Sequence, residues 1–208
     1  MLLRHQKIVD PETGVAVRET WEKVDYIYQS DGIPHREDGP ADIIRDEATG
    51  EVIYEKWSFE GESHRLDGPA DRIVNDTPDD QAAPGRPWGF VDREVWSLHG
   101  EFHREGGPQW TETDRETGVV VTEEWRVNGK SHRLDGPAQL SRDRTTGVAW
   151  REEWYRDGKM HRDDGPAVIE RNPVSGAVTN ETWYRDGQEI DPPPRPVEAS
   201  PATKKPAP

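Results

Sequence analysis

Five His-Arg pairs recur along the chain: His35 and Arg36, His64 and Arg65, His103 and Arg104, His132 and Arg133, His161 and Arg162. Each opens a His-Arg-x-Asp-Gly-Pro-Ala string or, in the third copy, the variant His-Arg-Glu-Gly-Gly-Pro-Gln ending at Gln109. A glutamate stands two residues before a tryptophan at Glu19, Glu55, Glu94, Glu123, Glu152 and Glu181. Three chemistries use such groups. A histidine beside a carboxylate is an acid–base pair, an arginine fork holds a carboxylate or phosphate, and histidine with carboxylates binds zinc. The acid–base reading is weak, because catalytic sites seldom come five at a time and Gly106 replaces the motif aspartate in one copy. Shared zinc fails on distance. Equivalent histidines in units that add two strands each stand about 10 Å apart, whereas zinc ligands lie about 2 Å from the metal. The preferred reading is a ladder of ion pairs against tryptophan, with each arginine satisfied by the Glu column or the motif Asp, because a thin core keeps polar groups only when they are paired. The sequence also carries no nucleophile elbow, phosphate loop or dinucleotide-binding Gly pattern. The expectation is a protein without catalytic residues, metal or cofactor.

These residues are positioned by a repeating unit. An aromatic column runs Tyr28, Trp57, Trp96, Trp125, Trp154 and Trp183, with offsets of 29, 39, 29, 29 and 29. The ten extra residues fall in the Pro/Gly/Asp-rich stretch 77–88, read as a surface loop inserted at an existing turn. Gly14 and Trp21 repeat the spacing of a later Gly and Trp, so an atypical first unit begins there, with a seven-residue insertion before Tyr28. Glycines punctuate every unit, often as Asp-Gly or Asn-Gly, the strongest short-hairpin signals. Between them the segments alternate with period two: Val119, Val121, Glu123 and Trp125 share one face, as do Val148, Trp150, Glu152 and Trp154. The predicted fold is all-β, an elongated repeat architecture of stacked antiparallel β-hairpins with a 29-residue period. Each unit is read as a hairpin plus a short return strand, and aromatic and alanine columns of adjacent units bury one another. Residues 1–190 form this one domain. Residues 191–208 hold seven of the 18 prolines and read as an extended tail.

Composition sets the outer limits. The 208 residues carry 27 basic and 42 acidic side chains, a net charge of -15, and no cysteine. Disulfides and thiolate chemistry are excluded. Leu, Ile, Val and Phe make up only about 17% of the chain, a level that with high charge suggests disorder. Nine tryptophans, most at regular intervals, argue instead for an ordered repeat. The absence of a long apolar run and the short, polar opening Met-Leu-Leu-Arg-His predict a cytoplasmic protein with no membrane segment. The negative charge disfavours direct nucleic-acid binding and favours a basic partner.

The strings Trp-Arg-Val-Asn-Gly-Lys-Ser-His-Arg-Leu-Asp-Gly-Pro-Ala at 125–138 and Trp-Tyr-Arg-Asp-Gly-Lys-Met-His-Arg-Asp-Asp-Gly-Pro-Ala at 154–167 resemble a longer variant of the MORN repeat, as found in phage, bacterial and large-virus proteins. The likeness covers residues 14–187. It implies elongated, twisted antiparallel hairpins and a scaffolding or binding role, with no catalytic residues to carry over. The expected function is therefore a non-enzymatic scaffold or inhibitor that meets a protein partner through an elongated acidic surface. Trp88, Phe90, Phe102 and Trp110, gathered near the irregular third unit, are its candidate contact residues. Two rival expectations stand beside it: an anti-defence inhibitor that mimics nucleic-acid charge in a basic groove, and sequestration of nucleotides or phosphates by the His/Arg columns. Open sheet ends also allow self-association.

Overall fold

The computed structural model describes residues 2–24, 32–74 and 91–193. Tyr28, Trp88, Phe90, the inserted stretch 77–88 and most of the proline-rich segment lie outside the described residues. Within them every regular element is a strand.

Fourteen of the described strands make one antiparallel sheet whose order follows the chain. Each inner long strand lies between its predecessor and its successor: Trp110–Thr113, for example, pairs with Val91–Val95 on one side and Val120–Glu124 on the other. The sheet runs from Leu2–Val9 at one edge to Val178–Arg185 and Gln188–Ile190 at the other. Two kinds of tight turn account for this path. In the first, an Asx side chain folds back onto the backbone. Asp143 Oδ1 accepts hydrogen bonds from Thr145 N, Thr146 N and Thr146 Oγ1 at 3.0, 2.8 and 3.0 Å. Gly147, at φ +71°, then closes the turn with a 2.9 Å bond to Asp143 O. Asp10, Asp46 and Asp114 do the same with Thr13, Thr49 and Thr117, and Asn172 with Ser175.

The second turn closes short hairpins of two residues per strand, such as Arg126–Val127 with Lys130–Ser131. Its central residues, Asn128 and Gly129, both have positive φ (49° and 71°), the mirror-image turn that matches strand twist. The return strand expected from sequence is thus a second small hairpin, lying between the tryptophan and the His-Arg string. Neighbouring short hairpins are joined through bonds such as Gly129 N to Phe102 O at 3.0 Å and Gly158 N to Ser131 O at 2.9 Å.

The core is thin. Ala41, Ala70, Ala138 and Ala167 are completely covered, with Gln109 in the same place in the third copy, and Ile43, Val74, Val95, Val168 and Ile169 are buried beside them. The backbone ties each string in whatever the side chain: Trp57, Trp96, Trp125 and Trp154 donate their N–H to the carbonyls of Ala70, Gln109, Ala138 and Ala167, each at 2.7 Å. Trp21 makes the same bond to Ala41, so Trp21 holds the first place in the column to which spacing assigns Tyr28. The tryptophan rings differ from the sequence expectation. They are half-buried, and among the described residues no ring contact joins one column tryptophan to the next. Strands two apart in a sheet are about 10 Å apart, too far for rings to stack, and an arginine fills the space.

Candidate functional site

In each copy the arginine lies over the ring of a tryptophan. The guanidinium carbons of Arg36, Arg65, Arg104, Arg133 and Arg162 stand 4.0, 4.1, 3.9, 3.9 and 3.9 Å from the rings of Trp21, Trp57, Trp96, Trp125 and Trp154. Its edge meets the string that follows. Arg133 Nε donates to Asp135 Oδ1 at 2.9 Å and Arg133 Nη1 to Pro137 O at 3.4 Å. Arg36, Arg65 and Arg162 repeat both bonds with Asp38 and Pro40, Asp67 and Pro69, Asp164 and Pro166. The glycine is part of the fit, since a Cβ on Gly136 would lie 2.6 Å from Arg133 Cζ. Arginine hydrogen bonding holds the carboxyls of Asp38, Asp67 and Asp135 below the ordinary aspartate value. In the third copy Arg104 keeps its ring and its bond to Pro108 O at 3.0 Å. Gly106 there supplies no carboxylate, and the buried Gln109 donates to Glu124 Oε2 at 3.4 Å.

The histidines are joined to the next short hairpin. Nδ1 of His35, His64 and His103 accepts the backbone N–H of Glu60, His99 and Asn128 at 3.1, 3.2 and 3.2 Å. His132 and His161 accept from Asp157 and Asp186 at 3.2 and 3.1 Å, and the carboxylates of the same two residues also stand 3.0 Å from Nδ1. Burial, and then the charge of His99, push the His64 imidazole below its ordinary value. The arginine backbone completes the join, with Arg36 N to Ser58 O at 2.9 Å and Arg104 N to Arg126 O at 3.1 Å.

The glutamate column forms a row across the sheet. Cross-strand partners run Lys7, Glu19, Ile43, Glu55, Arg72, Glu94, Thr111, Glu123, Leu140, Glu152, Ile169 and Glu181. Its counter-charges come chiefly from the end of the following strand. Arg45 faces Glu19 at 3.7 Å, Arg142 bonds Glu123 at 2.6 Å and Arg171 bonds Glu152 at 2.9 Å. The motif arginine reaches this row at Arg65, 3.5 Å from Glu55. Arg45, Arg142 and Arg171, like the Asx turns, were not singled out by sequence reading. A signal for the turns is present, because Asp-x-x-Thr-Gly recurs at 10–14, 46–50, 114–118 and 143–147.

Phe102 and Trp110 meet edge to face at 6.5 Å, with Arg126 over the first ring and Arg93 over the second, each at 5.4 Å. Trp110 is half-buried and Phe102 lies on the surface. Trp88 and Phe90, proposed with them, fall outside the described residues. Among the described residues, no group of three or more His, Asp or Glu is placed to hold a metal ion, and no helix is long and apolar enough to cross a membrane. Comparison of the chain with protein-family models, curated proteins and solved structures gives no match.

The arrangement spends its reactive side chains internally. What the strings leave outward is mostly carboxylate, with Leu66 and Leu134 80% and 75% exposed among them: Asp38, Asp67, Asp135 and Asp164 are 82–86% exposed although each holds an arginine. Glu37, Glu105 and Asp163 stand exposed beside them in the same strings.

Proposed function

We propose that the chain is a MORN-like repeat of stacked β-hairpins with no catalytic role, acting as a scaffold or inhibitor that binds a basic protein along an acidic edge. The observation that carries this reading is the division of labour within the His-Arg-x-Asp-Gly-Pro-Ala string. The arginine, the histidine Nδ1 and the glycine hold neighbouring hairpins together, while the carboxylates point to water at every copy but the third's missing aspartate. Recurrence of the same bonds at the sequence period supports stacking of like units.

Two rivals are weaker for physical reasons. Phosphate capture by the column needs free guanidinium edges, and those of Arg36, Arg65, Arg133 and Arg162 already hold an aspartate. Charge mimicry of a duplex needs about one negative charge per 1.7 Å, whereas one or two string carboxylates per two strands gives roughly one per 5–10 Å.

The test is affinity capture from the source cells at low and high ionic strength, with the native chain and with Glu37→Lys/Glu105→Lys. These positions lie outside the arginine clamps, so the fold is expected to persist. A basic protein retained at low salt and lost with the double substitution supports the proposal. A partner indifferent to both salt and substitution overturns it.

A further inference from the structure

We propose that the two edges of the sheet are complementary and join copies of this chain head to tail, with Glu181 of one copy across from Lys7 of the next. The inference stands on the sheet register and not on the basic partner proposed above.

Inside the sheet, each strand that follows an Asx turn pairs outward with the next strand in one register: Glu152 opposite Ile169, with Arg151 opposite Glu170 and Glu153 opposite Val168. The strand Val178–Arg185 ends the series. Its equivalent positions are Asn180, Glu181 and Thr182, and no strand among the described residues occupies their outer side. At the opposite edge Leu2–Val9 bonds, among the described residues, to Ala16–Val24 alone, with Gln6, Lys7 and Ile8 where inner strands carry Val168, Ile169 and Glu170. Extending the internal register across two copies places Asn180 opposite Ile8, Glu181 opposite Lys7 and Thr182 opposite Gln6.

The charges agree with this pairing. Glu19, Glu123 and Glu152 each find an arginine on the strand that follows them. Glu181 has no such strand, and neither it nor Lys7 has an ion-pair partner among the described residues. A cross-strand Glu–Lys pair favours this register, and a slip of one residue would put Lys7 on the opposite face. Apolar side chains gather at the same two edges, with Ile8 and Val9 59% and 45% exposed on one and Val178 48% exposed on the other. Because the two edges are different surfaces, the contact is head to tail and produces open chains of copies.

Sedimentation velocity of the full chain over a wide concentration range tests this, with Glu181→Lys, Lys7→Glu and the double exchange. The native chain is expected to grow in mass with concentration. Each single exchange should weaken association about three- to ten-fold, and the double exchange, which restores an opposite-charge pair between copies, should recover it. Glu181→Gln and Lys7→Gln give milder losses and replace the reversals if those disturb folding. A native chain that stays monomeric throughout, or association that ignores the single exchanges or is not recovered by the double one, overturns the proposal.

Discussion

A guanidinium laid on an indole keeps its edge free for hydrogen bonds, and the column arginines use that geometry. The ion pair alone is a small term, since the aspartate is exposed to screening water and salt. The cation–ring contact, about 0.5–1 kcal/mol or more when partly desolvated, and the bond to the proline carbonyl depend on shape as well as charge. Arg133→Lys is therefore expected to destabilise by about 1–2 kcal/mol in chemical denaturation. Arg104→Lys should cost less, because Gly106 stands where the other strings carry the aspartate that bonds the arginine Nε. Acid should act on the same residues. The folded-state values of Asp38, Asp67 and Asp135 are lowered, so their contribution is present above the unfolded value of 3.8 and disappears as pH falls through the lower folded values. His64 has the same sign at higher pH. Its neutral form is favoured in the fold, and that contribution fades as pH drops from 6.5 through its lowered value. Melting temperature against pH should fall in two stages, and His64→Gln should remove most of the first.

At the scale of single elements, backbone conformation limits what the sequence can change. Asn128, Asp157 and Asp186 occupy left-handed positions next to glycine in the short hairpins, with φ of 49–51°. Asn128→Val should cost about 1–2 kcal/mol by thermal melting, whereas Asn128→Asp should be tolerated. Much of this level is legible in the sequence, because Asn-Gly and Asp-Gly name their turns and the alternation in Val119, Val121 and Glu123 marks a strand. Less legible are the two-residue strands, which are too short to show any period. Choice of ion-pair partner is also hidden: Arg133 takes Asp135, two residues away, while Glu123 takes Arg142 across the strand pair. Both acceptors fit the chemistry, and only the path of the next strand decides. The first unit shows a related limit, since counting residues favours Tyr28 whereas hydrogen bonding selects Trp21.

For the whole molecule, the strand order matters more than any one contact. Each long strand in the described sheet bonds to long strands that neighbour it in the chain, and the short hairpins are likewise linked to the short hairpins before and after them. Tension applied to the two ends would consequently peel the sheet from its edges, loading a few hydrogen bonds at a time and never all of a strand's bonds in shear. In an optical trap the molecule should lengthen through a staircase of low-force events, each releasing about 100 Å of contour if the 29-residue sequence period is what yields at each step. It would behave as a compliant spring, extending under load in stages and recoiling when released.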